Sequence, residues 1–238
     1  MTLEVAQLQT GYPGAGKPLL ATPLSFTAQA GSLWVLAGHN GAGKSTLLNT
    51  LCGLVPAYHG TVSWNGYPVA GMDPLSRSAI FALVFTARPA ASSFTGFELT
   101  GTALFRAQHL SENARNERIS KALEQAGAAA LAQVHFGRMS DGEKQKVLLA
   151  RALAQETPVL LLDEPSAFLD YTAKRSLALM LQQLAIEHQK LVMVSTHDTE
   201  AFLPRASDLL FLDRKGSARH LAHPAQDPET VQLFQDAY

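Results

Sequence analysis

Gly38-His39-Asn40-Gly41-Ala42-Gly43-Lys44-Ser45, with Thr46 next, decides the fold. It fits G-x-x-x-x-G-K-[ST], the pattern of a phosphate-cradling loop. Leu33-Trp34-Val35-Leu36 before it reads as a short buried strand. After it, Leu47, Leu48 and Leu51 recur at helical spacing, and Gly53 is placed to end that helix. Strand, glycine loop and helix N-terminus together form an anion site, with N–H groups pointing inward and a dipole that favours negative charge. Gly38, Gly41 and Gly43 permit angles and a close approach that a Cβ would obstruct. Lys44 brings a point charge to the β- and γ-phosphates, and the Ser45 hydroxyl suits Mg²⁺.

The surrounding chain alternates strands and helices, which implies a mainly parallel sheet with crossover helices. Residues 3–36 read as strands and turns around Leu3, Val5, Leu8, Leu24 and Phe26. Gly60 to Gly66 reads as a strand ending in an Asn-Gly hairpin turn. Ala79 to Phe85 is predicted as a buried strand. Residues 90–156 turn alanine-rich and helix-favouring, a helical subdomain inserted in the αβ core. Ser140 and Glu143 have capping-box spacing and fix a helix start there. Val159 to Leu162 is a buried strand ending in Asp163-Glu164-Pro165. Leu177, Met180, Leu181 and Leu184 mark an amphipathic helix. Leu191 to Ser195 is a strand closing at Thr196-His197-Asp198, and Leu209 to Leu212 is another. Asp227-Pro228 starts a last helix.

Composition bounds the function. The 238 residues are 47% apolar and 16% charged, with a formal net charge of −1, so the chain is globular and no overall basicity points to nucleic acid. The lone Cys52 excludes an intramolecular disulfide and reads as a small buried residue in the loop's helix. Neither a signal peptide nor a membrane-crossing run is expected. The expected place is cytoplasmic, with any membrane role coming through a partner.

Two further sets of residues carry chemistry. Asp163, at the tip of a buried strand, can hold Mg²⁺ through water, and Glu164 can orient or deprotonate a water near the γ-phosphate. His197 follows another strand tip and can hydrogen-bond a phosphate or that water. His220 and His223 stand at i, i+3, a possible metal pair on a helix; without a third ligand they read as surface residues.

In order, the glycine loop, Met139-Ser140-Asp141-Gly142-Glu143, Val159 to Glu164, Ser166-Ala167-Phe168-Leu169-Asp170 and His197 resemble an ABC-transporter ATPase over essentially the whole chain. The second segment resembles that family's Leu-Ser-Gly-Gly-Gln signature. The resemblance implies an α/β fold: a P-loop NTPase (RecA-like) core with an N-terminal antiparallel β subdomain (1–86 and 157–238) and an inserted α-helical subdomain (87–156). It implies an ATPase using ATP and Mg²⁺, with Tyr12 stacking on adenine and Lys44, Glu164 and His197 in the catalytic site. It also implies a head-to-tail homodimer in which Ser140, Asp141 and Gly142 face the other subunit's γ-phosphate and Asp170 meets its P-loop. The partner would be an integral membrane permease, with a substrate-binding protein acting through it, at the cytoplasmic face of the inner membrane. Within importers, the Met-Ser-Asp-Gly-Glu signature and short C-terminus are similar to subunits for iron–siderophore, haem or cobalamin uptake. Two positions depart from the family. Asp141 replaces a glycine and sets a carboxylate near a triphosphate unless it turns away or meets a cation. Thr86 stands where a glutamine touching Mg²⁺ and the membrane partner is expected.

Other classes fit less well. A DNA-repair head would need a long coiled coil between Leu47 and Met139, and ribosome-acting relatives usually carry two cassettes in one chain. A GTPase would need a guanine-reading Asn-Lys-x-Asp. An ATP-binding switch with little turnover is disfavoured by Glu164.

Overall fold

A computed structural model describes residues 1–11, 18–85, 93–167, 169–230 and 233. Its centre is a six-stranded sheet in the order β10-β9-β3-β8-β7-β6. The strands are β3 (Leu33–Gly38), β6 (Phe81–Val84), β7 (Val159–Asp163), β8 (Leu191–Ser195), β9 (Asp208–Leu212) and β10 (Ala218–Ala222). All neighbours run parallel except β10 against β9. Near-continuous apolar sequence in β3, β7 and β8 follows from burial on both faces. Alternate residues divide between two cores: Leu33, Val35, Leu160, Leu162, Val192 and Val194 on one side, and Trp34, Leu36, Val159, Leu161, Leu191 and Met193 on the other.

The first face is covered by helices α3 (Gly96–Gly101), α4 (Glu112–Gln125), α5 (Asp141–Leu153) and α6 (Tyr171–Glu187), which contribute Leu99, Leu123, Val147 and Leu181 to its core. Helices α3 to α5 lie between β6 and β7 in the chain, where alanine-rich sequence predicts helix. The second face is covered by α1 (Lys44–Leu51) and an antiparallel sheet ordered β2-β1-β4-β5. That sheet comprises β1 (Thr2–Gln9), β2 (Leu24–Gln29), β4 (His59–Trp64) and β5 (Tyr67–Pro68). Asn65 and Gly66, at φ 48 and 82, make the expected hairpin turn, since such a turn needs positive φ at both centres.

Two local readings are corrected. Ala79 and Ile80 belong to helix α2 (Pro74–Ile80), and the strand begins at Phe81. Asp73 caps α2 by accepting from the N–H groups of Leu75 and Ser76, Pro74 opens it, and the chain passes straight into β6; an apolar run cannot display a boundary with no linker. His220 is on strand β10, not on a helix, and His223 follows that strand at φ 49. The His220 ring stacks on Trp34 at 4.7 Å, and its Nε2 lies 2.8 Å from Asp208 Oδ1. Cys52 is buried immediately after α1, where burial pushes its thiol up to about 11. Among the described residues no helix is long and apolar enough to cross a membrane.

Candidate active site

The glycine loop joins the C-terminal end of β3 to α1, and at its first residue a side chain does not fit. Gly38 pairs with Leu212 in the sheet, and a Cβ on it would lie 2.4 Å from the Leu212 carbonyl oxygen. Gly43 is the N-cap of α1 in a left-handed conformation at φ 96. No side chain caps α1, so an anion can take that role at its N-terminus. His39, Asn40, Gly41 and Ala42 form the arch between, and Ser45 is exposed on the first turn while Thr46 is buried.

Lys44 is 6% exposed yet fully engaged. Its Nζ donates to the carbonyl oxygens of Gly38 (2.8 Å) and His39 (3.2 Å) and lies 3.5 Å from Glu164 Oε1. Two carbonyls accept hydrogen bonds from the ammonium group, and the Glu164 carboxylate adds an ion pair without a hydrogen bond.

The carboxylates come from the tip of β7, which β8 separates from β3. Asp163 ends β7 opposite Ser195, which ends β8, and Asp163 Oδ1 accepts from Ser195 Oγ at 2.6 Å. The Glu164 N–H donates to the Ser195 carbonyl oxygen (3.1 Å) and to its Oγ (3.0 Å). This holds Glu164 at φ 49, a left-handed conformation that a non-glycine residue keeps only when its surroundings enforce it. The turn aims the Glu164 carboxylate at two side chains: Oε1 faces Lys44 and Oε2 lies 2.8 Å from His197 Nδ1. The ring is about half exposed and the carboxylate largely covered.

Lys44, Glu164 and His197, far apart in sequence, therefore form one contact chain, with Asp163 tied to it through Ser195. Ser195 is a site residue that sequence reasoning missed. Its signal was a polar residue closing an otherwise apolar buried strand. Behind His197 lies a second unforeseen network. Asp198 accepts from Lys174 Nζ (2.8 Å) and Ser166 Oγ (3.0 Å), and its own N–H donates to Thr196 Oγ1. Burial raises the Asp198 pKa, but the hydrogen bonds from Lys174 and Ser166 and the lysine charge outweigh it and hold it below the usual carboxylate range.

The other candidates occupy separate helix N-termini. Ser140 accepts from the Glu143 N–H, and Glu143 accepts from the Ser140 N–H (2.7 Å) and hydroxyl (2.8 Å), the complete capping box of α5. The Ser140 N–H and hydroxyl together lower the Glu143 pKa. Asp141, followed by Gly142 in the first turn, lies 3.7 Å from Lys144, so its carboxylate meets a cation within its own helix. Asp170 caps α6 through the Ala173 N–H at 2.8 Å. Tyr12, the adenine-stacking candidate, and Thr86, the metal candidate, lie outside the described residues.

The donor set fits a nucleoside triphosphate and a hard divalent cation. The cradle is backbone N–H and lysine, while the Asp163 carboxylate and Ser45 hydroxyl are oxygen donors suited to Mg²⁺. Comparisons with known proteins agree. The family model described as ABC transporter matches residues 21–167. An ABC transporter ATP-binding protein of Methanocaldococcus jannaschii is 36% identical over 216 residues, spanning 88% of this chain and 72% of its own. The taurine import ATP-binding protein TauB of Pseudomonas fluorescens is 33% identical over 213 residues, spanning 88% and 77%. Among solved structures, a dimeric post-hydrolysis ATP-binding cassette bound to ADP and Pi superposes with a TM-score of 0.83 at 23% identity, covering 93% of this chain and 98% of that one.

Proposed function

This chain belongs to the ABC transporter family of ATP-binding, ATP-hydrolysing subunits, and we propose that it energises a separate membrane permease of the importer type. The observation that carries the hydrolytic part is the Lys44–Glu164–His197 cluster. Lys44 and the loop N–H groups bind the phosphates. Glu164 accepts a proton from water as its oxygen attacks the γ-phosphorus, the bond to the β,γ-bridging oxygen breaks, and ADP leaves with that electron pair. His197 orients Glu164 and reaches the same water or the γ-phosphate. Ser45 and Asp163 would hold Mg²⁺, which offsets charge on the phosphate oxygens when bound.

The chain works as a homodimer in this reading. The start of α5, with Ser140 at its N-cap, faces a second copy's γ-phosphate in this reading, and Asp170 faces its loop. Lys144, 3.7 Å from Asp141, supplies a countercharge that supports a carboxylate at this position. Support for a membrane partner comes from an exposed cleft beside the end of β6, lined by Leu54, Phe85 and Phe105 with Arg77 and Arg151. Such an apolar surface rimmed by charge suits a protein partner. The finer reading, a cargo of iron–siderophore, haem or cobalamin type delivered by a substrate-binding protein, rests on the Met139 to Glu143 signature. The permease chooses the cargo, so the taurine-import relative does not decide it.

A tagged pull-down from detergent-solubilised membranes of the native host tests this. Co-purification of a polytopic protein is expected. Recovery of ribosomal or DNA-associated partners alone would replace the transport reading with an ATPase acting on a soluble nucleoprotein.

A further inference from the structure

The His197 side chain is about half exposed, so packing alone does not fix where its ring points. The backbone that carries it must do so, and the next residue is Asp198. Asp198 stands at the N-cap of the short helix Thr199–Phe202, yet its carboxylate makes no cap hydrogen bond there. An aspartate in that place ordinarily accepts from the N–H groups two or three residues on. Here both oxygens turn the other way. Oδ1 accepts from Lys174 Nζ, at the close of the first turn of α6, at 2.8 Å, and Oδ2 accepts from Ser166 Oγ at 3.0 Å. Oδ2 also lies 3.9 Å from His197 Nε2, so the carboxylate flanks the ring whose other nitrogen meets Glu164. Beside it Ser166 and Thr196 are fully buried with their hydroxyls 3.4 Å apart, and the Asp198 N–H donates to Thr196 Oγ1 at 2.9 Å. The Thr196 N–H donates to the Leu36 carbonyl oxygen of β3 at 3.1 Å. The turn that carries His197 is thus tied to β3, to the segment after Glu164 and to α6.

We propose that Asp198, gripped by Lys174 and Ser166, is a positioning residue that fixes the His197 ring for ATP hydrolysis. Its part is indirect, through the direction of the ring. A carboxylate held at both oxygens by donors on two separate segments has one orientation, and supports of this kind keep a working side chain within roughly 0.5 Å of its place. Lys174 is the stronger of the two donors because it brings charge. Only about a fifth of either side chain of the ion pair is exposed, so salt screens it less than a pair on an open surface. Without Lys174, Oδ1 of a largely covered carboxylate loses its donor and must turn toward water or toward His197, taking the backbone of residue 198 with it. The role in turnover rests on the place given to His197 in the proposed function; the hold on the ring does not.

Lys174→Met, Asp198→Asn and the double variant test this in the full chain. Each single change should lower phosphate release at saturating Mg–ATP about 10- to 100-fold, the loss that a misplacement of about 1 Å brings. Binding of a fluorescent ATP analogue should stay within about twofold of the parent, because the phosphate cradle is untouched. The double variant should be no slower than the slower single one, since both changes break one link, whereas unconnected damage multiplies. Lys174→Arg keeps the charge and should bring turnover back to within about threefold of the parent. The ring itself reports in long-range ¹H–¹⁵N NMR spectra, with the His197 signals assigned by their disappearance in His197→Gln. Its nitrogen shifts should move in nucleotide-free Lys174→Met and return in Lys174→Arg, while urea denaturation shows each variant folded under assay conditions. Unmoved ring shifts in Lys174→Met, turnover of both single variants within about threefold of the parent, multiplied losses in the double variant or no recovery in Lys174→Arg would each overturn the proposal. Failure of the ATPase reading would look different: no phosphate release by the parent chain, with the ring shifts still moving in Lys174→Met.

Discussion

Glu164→Gln isolates the step that the site's geometry implies. The substitution keeps size and shape, and the left-handed backbone at φ 49 is as accessible to Gln as to Glu. The N–H bonds from residue 164 to Ser195 do not involve the side chain, so the turn should persist. Two things change. The base is lost, and general-base catalysis contributes typically about 10²–10⁴-fold, or roughly 3–5 kcal/mol of barrier at about 1.4 kcal/mol per decade. The negative charge 3.5 Å from Lys44 is also lost, a gross attraction on the order of 4 kcal/mol at an effective dielectric near 20. That attraction competes with the incoming phosphates. ATP should therefore bind Glu164→Gln at least as tightly as the parent chain, while turnover falls about 100-fold or more. Phosphate release under saturating Mg–ATP, with binding measured by a fluorescent ATP analogue, reads the two effects apart. Light scattering should show a trapped dimer. Turnover within about threefold of the parent, with binding intact, would refute the assignment of Glu164 as base. A strictly monomeric Glu164→Gln chain at saturating Mg–ATP would refute the sandwich.

Three other outcomes follow from local geometry. Ser140→Ala removes the cap of α5 and should cost about 1 kcal/mol, seen as a melting temperature lower by about 2–4 °C. Cys52, with its thiol near 11, should hold about one thiolate per thousand molecules at pH 8 and resist iodoacetamide until the chain is unfolded. Lys174→Met should lower stability at pH 7 by about 1 kcal/mol, read by urea denaturation. The sign of its pH dependence is set by Asp198, whose folded pKa is depressed. The contribution is present above the unfolded carboxylate value of about 3.9 and is lost as pH falls through the lower folded value, so the gap between the two chains should close in acid.

What was legible in the sequence was local. The loop from Gly38 to Ser45, the aliphatic strand before Asp163 and the Ser140–Glu143 box each carry their reason within a few residues, and the structure shows each in its expected conformation. The Asp73-Pro74 start of α2 was equally legible, because Asp227-Pro228 announces a helical turn by the same chemistry; the apolar run from Ala79 concealed it. Strand order was not legible. Only the register of β7 against β8 places Ser195 opposite Asp163, and only the placing of β3 and β7 on either side of β8 brings Lys44 to Glu164 across 120 residues. His220 shows the same limit. Its spacing from His223 suggested a helix face, whereas antiparallel pairing with β9 decided its place, opposite Leu210 and against Trp34.

The long-range contacts matter because they make the Glu164 carboxylate and a bound phosphate competitors for one lysine. Lys44 donates to two carbonyls of the loop that would cradle phosphate and is ion-paired at 3.5 Å with the proposed base. An arriving phosphate oxygen must displace one of them, and the loop carbonyls are fixed by the backbone while the Glu164 side chain can move. Glu164 is thus the acceptor most readily released, and the same event that fills the cradle frees the carboxylate beside His197. The 3.5 Å contact therefore ties phosphate binding at Lys44 to the position of the Glu164 carboxylate. Coupling of this kind needs no distant signal, only the 3.5 Å contact and the left-handed turn at residue 164 that creates it.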